Sequence, residues 1–179
     1  MSSRDKNSWE EKPPLLDYHY ISGAVYTDPY IFEKEQDTIF SKKWHFVCHE
    51  SELLNKFDYR VYDHARKSIF SIRCEDGKVR SFLNVCSHRG AKLLSDPAGN
   101  AKMIRCFYHH WIYNSYGECI GIPRPAGYSK SSVSKDSMGL REVKTETYLG
   151  MVFINLSDNS SNLKDFIGDS LNSFVETMG

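Results

Sequence analysis

"CSHRGAKLLSDPAGNAKMIRCFYHH", residues 86–110, carries the strongest chemical signal in this sequence. It opens with Cys86-x-His88 and, 17 residues later, closes with Cys106-x-x-His109. Cysteine and histidine in such short spacings are typical of metal ligands. Each of the two short loops offers one sulfur and one nitrogen ligand, so the pair of loops predicts a site with two thiolates and two imidazoles.

Three kinds of metal centre use these ligands. Zinc accepts two cysteines and two histidines, but the usual spacing pairs cysteine with cysteine and histidine with histidine. Blue-copper sites take two histidines and a single cysteine, so they do not fit. A [2Fe–2S] cluster with two histidines on one iron and two cysteines on the other takes one ligand of each kind from each loop. The pattern favours the cluster, and a zinc-stabilised binding module is the non-redox alternative.

The composition is that of a globular protein with no electrostatic bias. Of 179 residues, 40% are hydrophobic and 26% are charged, and 23 Lys plus Arg balance 23 Asp plus Glu. The balance gives no reason to expect nucleic acid or an acidic membrane as a partner. The polar N-terminus lacks a secretory signal, and the longest apolar run, residues 148–156, is too short to span a bilayer. We therefore expect a cytoplasmic protein.

Periodicity predicts a mostly β fold between two helical segments. Asp28 and Pro29 suit the start of a helix, and short aromatic and β-branched runs begin at Trp44. Asp76-Gly77 predicts a hairpin turn, and a second hairpin is expected near residues 115–117. The predicted organisation is an N-terminal arm and helix over 1–43, a β domain over 44–157 and a helical tail over 158–179.

The two ligand loops resemble a known family. C-x-H followed by C-x-x-H is similar to the Rieske [2Fe–2S] signature, and "NVCSHRGA" and "CFYHHW" resemble the cluster loops of the large (α) subunit of aromatic-ring-hydroxylating oxygenases. Neither loop has the extra cysteine of respiratory-chain Rieske proteins. The resemblance covers about residues 28–169. It implies a Rieske-type antiparallel β-sandwich with a small cluster-binding subdomain.

The resemblance also implies the role of each ligand in one [2Fe–2S] cluster per chain. Cys86 and Cys106 would bind the inner iron as thiolates, and His88 and His109 the outer iron. His110 stands where the family usually has glycine, and spacing favours His109 over it as the ligand. If that position needs a positive φ, histidine is among the better-tolerated residues. We expect a reduction potential low in the Rieske range, because neither loop shows an obvious hydroxyl at the positions that raise it in respiratory-chain Rieske proteins.

The implied function is electron transfer within an oxygenase. A ferredoxin or flavin reductase would supply single electrons, and a mononuclear iron with two histidines and one carboxylate would receive them. No histidine follows His110, so we expect this chain not to hydroxylate by itself. We interpret it as the Rieske domain of an α subunit whose catalytic domain is absent here, in a family that forms homotrimers. A free-standing Rieske ferredoxin is the alternative.

The remaining cysteines and histidines have simpler interpretations. We expect Cys48, Cys74 and Cys119 to be buried apolar side chains. His45 and His49 flank Cys48 but would lie on the opposite face of a strand, which disfavours a second metal site there. His19 and His64 are expected at the surface. Arg89 is expected to support its loop or to contact a redox partner.

Overall fold

A computed structural model describes residues 23–171 and contains mainly antiparallel β-structure. This confirms the predicted fold class. The predicted arm before Gly23, with His19, and the predicted helical residue Phe174 lie outside the described residues. No helix within the described part of the chain is long and apolar enough to cross a membrane.

The N-terminal helical segment begins where the sequence predicts. A short helix α1 (Ala24–Thr27) leads into α2 (Pro29–Glu35), which continues as a π-helical turn, Gln36–Phe40. The Asp28 carboxylate accepts a hydrogen bond from the Tyr30 amide at 2.9 Å, and Pro29 occupies the first helical position. The buried side of this segment consists of Ile31 and Gln36.

Seven strands form one antiparallel sheet and three short strands form a second. In chain order the strands are β1 (His45–His49), β2 (Asp58–His64), β3 (Lys67–Arg73), β4 (Val79–Leu83), β5 (Ala98–Asn100), β6 (Ile104–Arg105), β7 (Ile112–Tyr113), β8 (Cys119–Gly121), β9 (Glu142–Tyr148) and β10 (Met151–Asn155). The large sheet has the order β1-β10-β9-β4-β3-β2-β5, and the small sheet has the order β6-β7-β8. The small sheet corresponds to the predicted cluster-binding subdomain.

Both predicted hairpins are present. Gly77 (φ +84°) turns the chain between β3 and β4, where Asp76 also holds the Lys78 amide and the Arg80 guanidinium. Gly117 (φ +77°) turns it between β7 and β8. Only glycine fits at Gly117, because a Cβ atom there would overlap the Phe82 ring.

Strands β5 and β6 were not predicted. The sequence of β5 is Ala-Gly-Asn, with all three residues exposed, so no apolar alternation marks it. It pairs with β2 and forms one edge of the large sheet, and Gly99 lies under the Tyr59 ring where a Cβ atom would clash with the phenol. Strand β6 has two residues, too few to show a period.

The main hydrophobic core lies between the large sheet and the small one, and it includes both predicted cysteine ligands. Cys86 and Cys106 are 3% and 1% exposed and belong to the same buried group as Phe70, Phe82 and Trp111. Cys48, Cys74 and Cys119 are buried as predicted. None of the five cysteines forms a disulfide.

A short helix α3 (Leu163–Ile167) follows the last strand. The Asn162 side chain caps it by accepting a hydrogen bond from the Asp165 amide at 2.8 Å. Gly168 (φ +56°) ends the α-helix, and the chain continues as a 3₁₀ turn, Gly168–Leu171.

Candidate metal centre

The two ligand loops have the same backbone construction. Each is the six-residue tip of a two-stranded element, closed by the pair Val85 and Lys92 in the first loop and by Arg105 and Ile112 in the second. In each loop the cysteine amide donates to the carbonyl five residues on, at 2.8 Å in both cases. The cysteine carbonyl accepts from the amide four residues on, at 2.9 Å in the first loop and 3.0 Å in the second.

The shared construction explains His110. The residue four positions after each cysteine has a positive φ, +72° at Gly90 and +60° at His110. The backbone therefore requires a left-handed residue at this point of both loops, and histidine tolerates that conformation. The His110 side chain is exposed, whereas His109 is half-buried. This placement is consistent with the preference for His109 over His110 as the ligand.

The two predicted histidine ligands lie side by side, and so do the two predicted cysteine ligands. The rings of His88 and His109 have centroids 4.6 Å apart and lie edge to face. Burial raises the pKa of the Cys86 thiol above its ordinary value, and the neighbouring Cys106 thiol adds to the rise. A metal that binds both sulfurs as thiolates would offset this cost of ionising two neighbouring buried thiols.

His88 has a nitrogen that the protein leaves without a partner. Its Nδ1 atom is buried and makes no hydrogen bond, which is uncommon for a polar atom inside a protein. Burial, the neighbouring His109 and Arg89 all lower the pKa of His88. The neutral imidazole is therefore favoured, and this is the form that binds metals.

Trp111 packs beneath the first loop, against His88. Its side chain is 1% exposed and stacks on the His88 ring with the planes 5° apart and the centroids at 4.7 Å. The indole closes one face of the imidazole to water. It also restricts the ring to one orientation about the loop.

Tyr113 supplies a hydroxyl that the sequence analysis did not find. Its Oη lies 3.2 Å from Cys86 Sγ and 3.2 Å from the Ser87 amide nitrogen. The amide donates to Oη, so the phenol is free to donate its own proton to a Cys86 thiolate. Burial raises the pKa of Tyr113, which keeps this proton in place. The low potential was expected on the premise that no hydroxyl is placed to raise it, and that premise was wrong, because the Tyr113 hydroxyl reaches the predicted ligand sulfur of Cys86.

A buried asparagine supports the first loop from behind. Asn84 is fully buried, and its side-chain oxygen accepts from the amides of Leu93 and Leu94 at 3.2 and 2.9 Å. Its side-chain nitrogen donates to the Leu94 carbonyl at 2.8 Å. Ser87 Oγ donates to the Gly139 carbonyl at 2.7 Å and ties the loop tip to the segment after β8. These bonds hold the loop in place from both sides.

His49 and His64 make structural contacts elsewhere in the fold. His49 accepts a hydrogen bond from the Ser51 amide at 3.2 Å and caps a 3₁₀ turn, Glu50–Glu52. His64 was wrongly predicted at the surface: it is half-buried, with Nε2 2.7 Å from the Phe40 carbonyl and its ring 4.2 Å from that of His45. Arg89 is exposed next to His88.

The donor set fits a two-iron cluster better than a single ion. Between residues 23 and 171, no three or more Cys, His, Asp or Glu side chains converge on a point that would hold one metal ion. A [2Fe–2S] cluster asks for only two protein ligands on each iron, because bridging sulfides supply the rest. Two buried cysteines, a histidine with a buried free Nδ1 and a second histidine beside it meet this requirement.

Comparison with known proteins gives one consistent result. Residues 43–145 match the family model for the Rieske [2Fe-2S] domain. The chain is 48% identical over 162 residues to the 2-aminobenzenesulfonate 2,3-dioxygenase subunit alpha of Alcaligenes sp, covering 90% of this chain and 41% of that protein. It is 35% identical over 188 residues to the methanesulfonate monooxygenase hydroxylase subunit alpha of Methylosulfonomonas methylovora, covering 99% and 45%.

A solved structure of naphthalene 1,2-dioxygenase with indole bound superposes on the chain with a TM-score of 0.79 at 34% identity. The match covers 87% of this chain and 35% of that one. The chain thus spans less than half the length of these relatives. It belongs to the Rieske [2Fe–2S] domain family, is homologous to the α subunits of ring-hydroxylating oxygenases, and has a Rieske-type [2Fe–2S] cluster as its cofactor.

Proposed function

We propose that this chain is the electron-transfer domain of a ring-hydroxylating oxygenase. It receives single electrons from a ferredoxin or a flavin reductase and passes them to a mononuclear iron in a catalytic domain. The observation that carries the proposal is the pair of equivalent loops, which place two cysteines in the core and two histidines above them. When bound, a cluster of this kind takes up and gives back one electron at a time.

Cys86 and Cys106 hold the inner iron in this proposal, and His88 and His109 hold the outer iron. The burial of both cysteines and the unpartnered Nδ1 of His88 support the assignment. Tyr113 donates to Cys86 Sγ, and Trp111 keeps water from one face of His88. These contacts fix the ligands before and after each electron passes, so little rearrangement accompanies the transfer.

The outer histidines mark the face where electrons enter and leave. His109 is half-buried, and next to it Phe107 and Tyr108 expose 69% and 54% of their surface. Exposed aromatic side chains are enriched where proteins bind one another. We propose that the electron donor and the acceptor iron use this same face, one after the other. In a homotrimer of α subunits the acceptor would belong to the neighbouring subunit.

Exposed apolar side chains on the flanking helices favour an α-subunit domain over a free-standing ferredoxin. Phe32, Ile39 and Phe166 are each about half exposed. A carrier that works alone would be expected to present polar residues there. Two relatives are named for sulfonates, so we propose sulfonated compounds as the substrate class of the oxygenase that this domain serves. We also propose the cytoplasm as the location of the protein.

Metal analysis and spectroscopy test the proposal. Protein purified without oxygen should contain about two iron and two acid-labile sulfides per chain and show a rhombic electron paramagnetic resonance signal after reduction. Cys106→Ser and His109→Cys should abolish that signal. Cys119→Ser is the matched control, because Cys119 is an equally buried cysteine outside the centre, and it should keep the signal.

Electron-transfer kinetics separate the two redox interpretations. NADH with a flavin reductase, with or without a ferredoxin, should reduce one cluster per chain. If the chain then relays electrons to a separate oxygenase at a rate that rises with its concentration, it is a diffusing carrier and the α-subunit proposal is wrong. Stoichiometric zinc in place of iron would exclude both redox interpretations.

A further inference from the structure

Two aromatic side chains, Trp111 and Tyr128, hold the His88 ring. Trp111 stacks on one face, Nδ1 points into the protein, and Nε2 lies 3.2 Å from Tyr128 Oη. The Tyr128 ring also stands edge-on to both the imidazole and the indole, with centroids 6.1 and 5.9 Å away. If Nδ1 binds iron, Nε2 carries the ring proton and donates it to the Tyr128 hydroxyl.

Tyr128 is fixed by its own segment of chain. It ends a 3₁₀ turn, Pro125–Tyr128, in the covering loop, our name for residues 123–139. Its carbonyl accepts from the Ser131 amide at 2.9 Å and from Ser131 Oγ at 2.8 Å. The far end of the covering loop is tied to the first ligand loop through Ser87 and the Gly139 carbonyl. The hydroxyl of Tyr128 is therefore presented to His88 by an anchored segment.

The second histidine has different surroundings. The Tyr108 ring lies against the His109 ring with centroids 3.8 Å apart and the planes tilted by 37°, so the contact is between the two rings. Tyr108 is more exposed than Tyr128. The two outer ligands thus differ. The phenol of Tyr128 can accept a hydrogen bond from the N–H of His88, whereas Tyr108 only covers the ring of His109.

We propose that Tyr128 is a positioning residue for the cluster, which accepts the Nε2 proton of His88 and so sets the orientation and basicity of that ligand. This inference rests on the proposed function. An acceptor on the far nitrogen makes an imidazole a stronger donor to its metal, which stabilises the oxidised iron relative to the reduced iron. Removing the acceptor should therefore raise the reduction potential.

The test compares Tyr128→Phe with Tyr108→Phe in the cluster-containing protein. Each variant loses one hydroxyl and keeps its ring, but only Tyr128→Phe loses a hydrogen bond to a ligand nitrogen. A redox titration followed by visible circular dichroism should show Tyr128→Phe shifted upward by at least the equivalent of a threefold change in the ratio of reduced to oxidised cluster, about 28 mV. Tyr108→Phe should stay at the wild-type potential.

A second measurement needs no variant and covers the case in which Tyr128→Phe fails to fold. After transfer of the wild-type protein to D₂O, proton double resonance should show one ligand N–H exchanging more slowly than the other. Equal exchange of both protons, or equal potentials for Tyr128→Phe and wild type, would overturn the inference while the cluster and the proposed function stand. A protein without iron would instead refute the proposed function itself.

Discussion

Replacing Tyr113 by phenylalanine should lower the reduction potential of the cluster. The Tyr113 hydroxyl lies 3.2 Å from Cys86 Sγ in a fully buried position where water cannot replace it. The reduced cluster carries one more negative charge than the oxidised cluster, so it accepts this hydrogen bond more strongly. The variant removes that preference and keeps the aromatic ring.

The size of the effect follows from the strength of the bond. A hydrogen bond to a charged group contributes roughly 1.5–3 kcal/mol. If about 1 kcal/mol of this differs between the two oxidation states, the potential should fall by about 40 mV, since about 1.4 kcal/mol corresponds to about 59 mV for one electron. The Ser87 amide also loses its acceptor, so the free energy of unfolding should fall by roughly 1–3 kcal/mol.

A redox titration monitored by electron paramagnetic resonance measures the shift. Tyr62→Phe is the control, because it also removes a hydroxyl with a protein partner, Ser71 Oγ at 3.0 Å, but on the large sheet. It should leave the potential unchanged. A Tyr113→Phe protein with a complete cluster and an unchanged or higher potential would show that the phenol does not act on the sulfur.

Three further predictions concern stability and are checked by urea unfolding. His110→Gly should keep the cluster and stabilise the protein by about 1 kcal/mol, because φ is +60° there; loss of the cluster would make His110 the ligand. Burial and His64 lower the pKa of His45. Its contribution to stability is therefore present above pH 6.5 and lost as the pH falls, and His45→Gln should unfold with less pH dependence than wild type between pH 7.5 and 5. Gly117→Ala should destabilise by about 2–4 kcal/mol, because a left-handed alanine would also press on the Phe82 ring; a loss below about 1 kcal/mol would mean that the turn adapts.

The sequence predicts those parts of the fold that local chemistry determines. The aromatic and β-branched runs became β1 to β4, and Gly77 and Gly117 turn the predicted hairpins. The ligand spacing located the two loops because each loop is closed within six residues. Strand β5 was not predicted, because its pairing comes from backbone hydrogen bonds to β2 and its side chains show no apolar alternation.

The tyrosines that contact the predicted ligands could not be predicted from the sequence, for a different reason. Tyr128 lies 40 residues from His88, and nothing in its neighbourhood distinguishes it from other loop tyrosines. Tyr113 offered one usable signal: it follows His109 by four residues on a strand that leaves the loop, which aims it back toward the ligands. Its contact with Cys86 depends on how the two loops meet, and that is decided by the tertiary fold.

Because Cys86 and Cys106 are buried in the main core, the supply of the cofactor should affect how much of the protein persists in the cell. In the proposed assignment, the cysteines that hold the metal also complete the packing between the two sheets. Binding energy for the metal is then folding energy, and a chain that lacks iron has two thiols and an unpaired imidazole nitrogen enclosed in its interior. Iron starvation should therefore reduce the amount of this protein through proteolysis, and an inactive but intact pool should not accumulate.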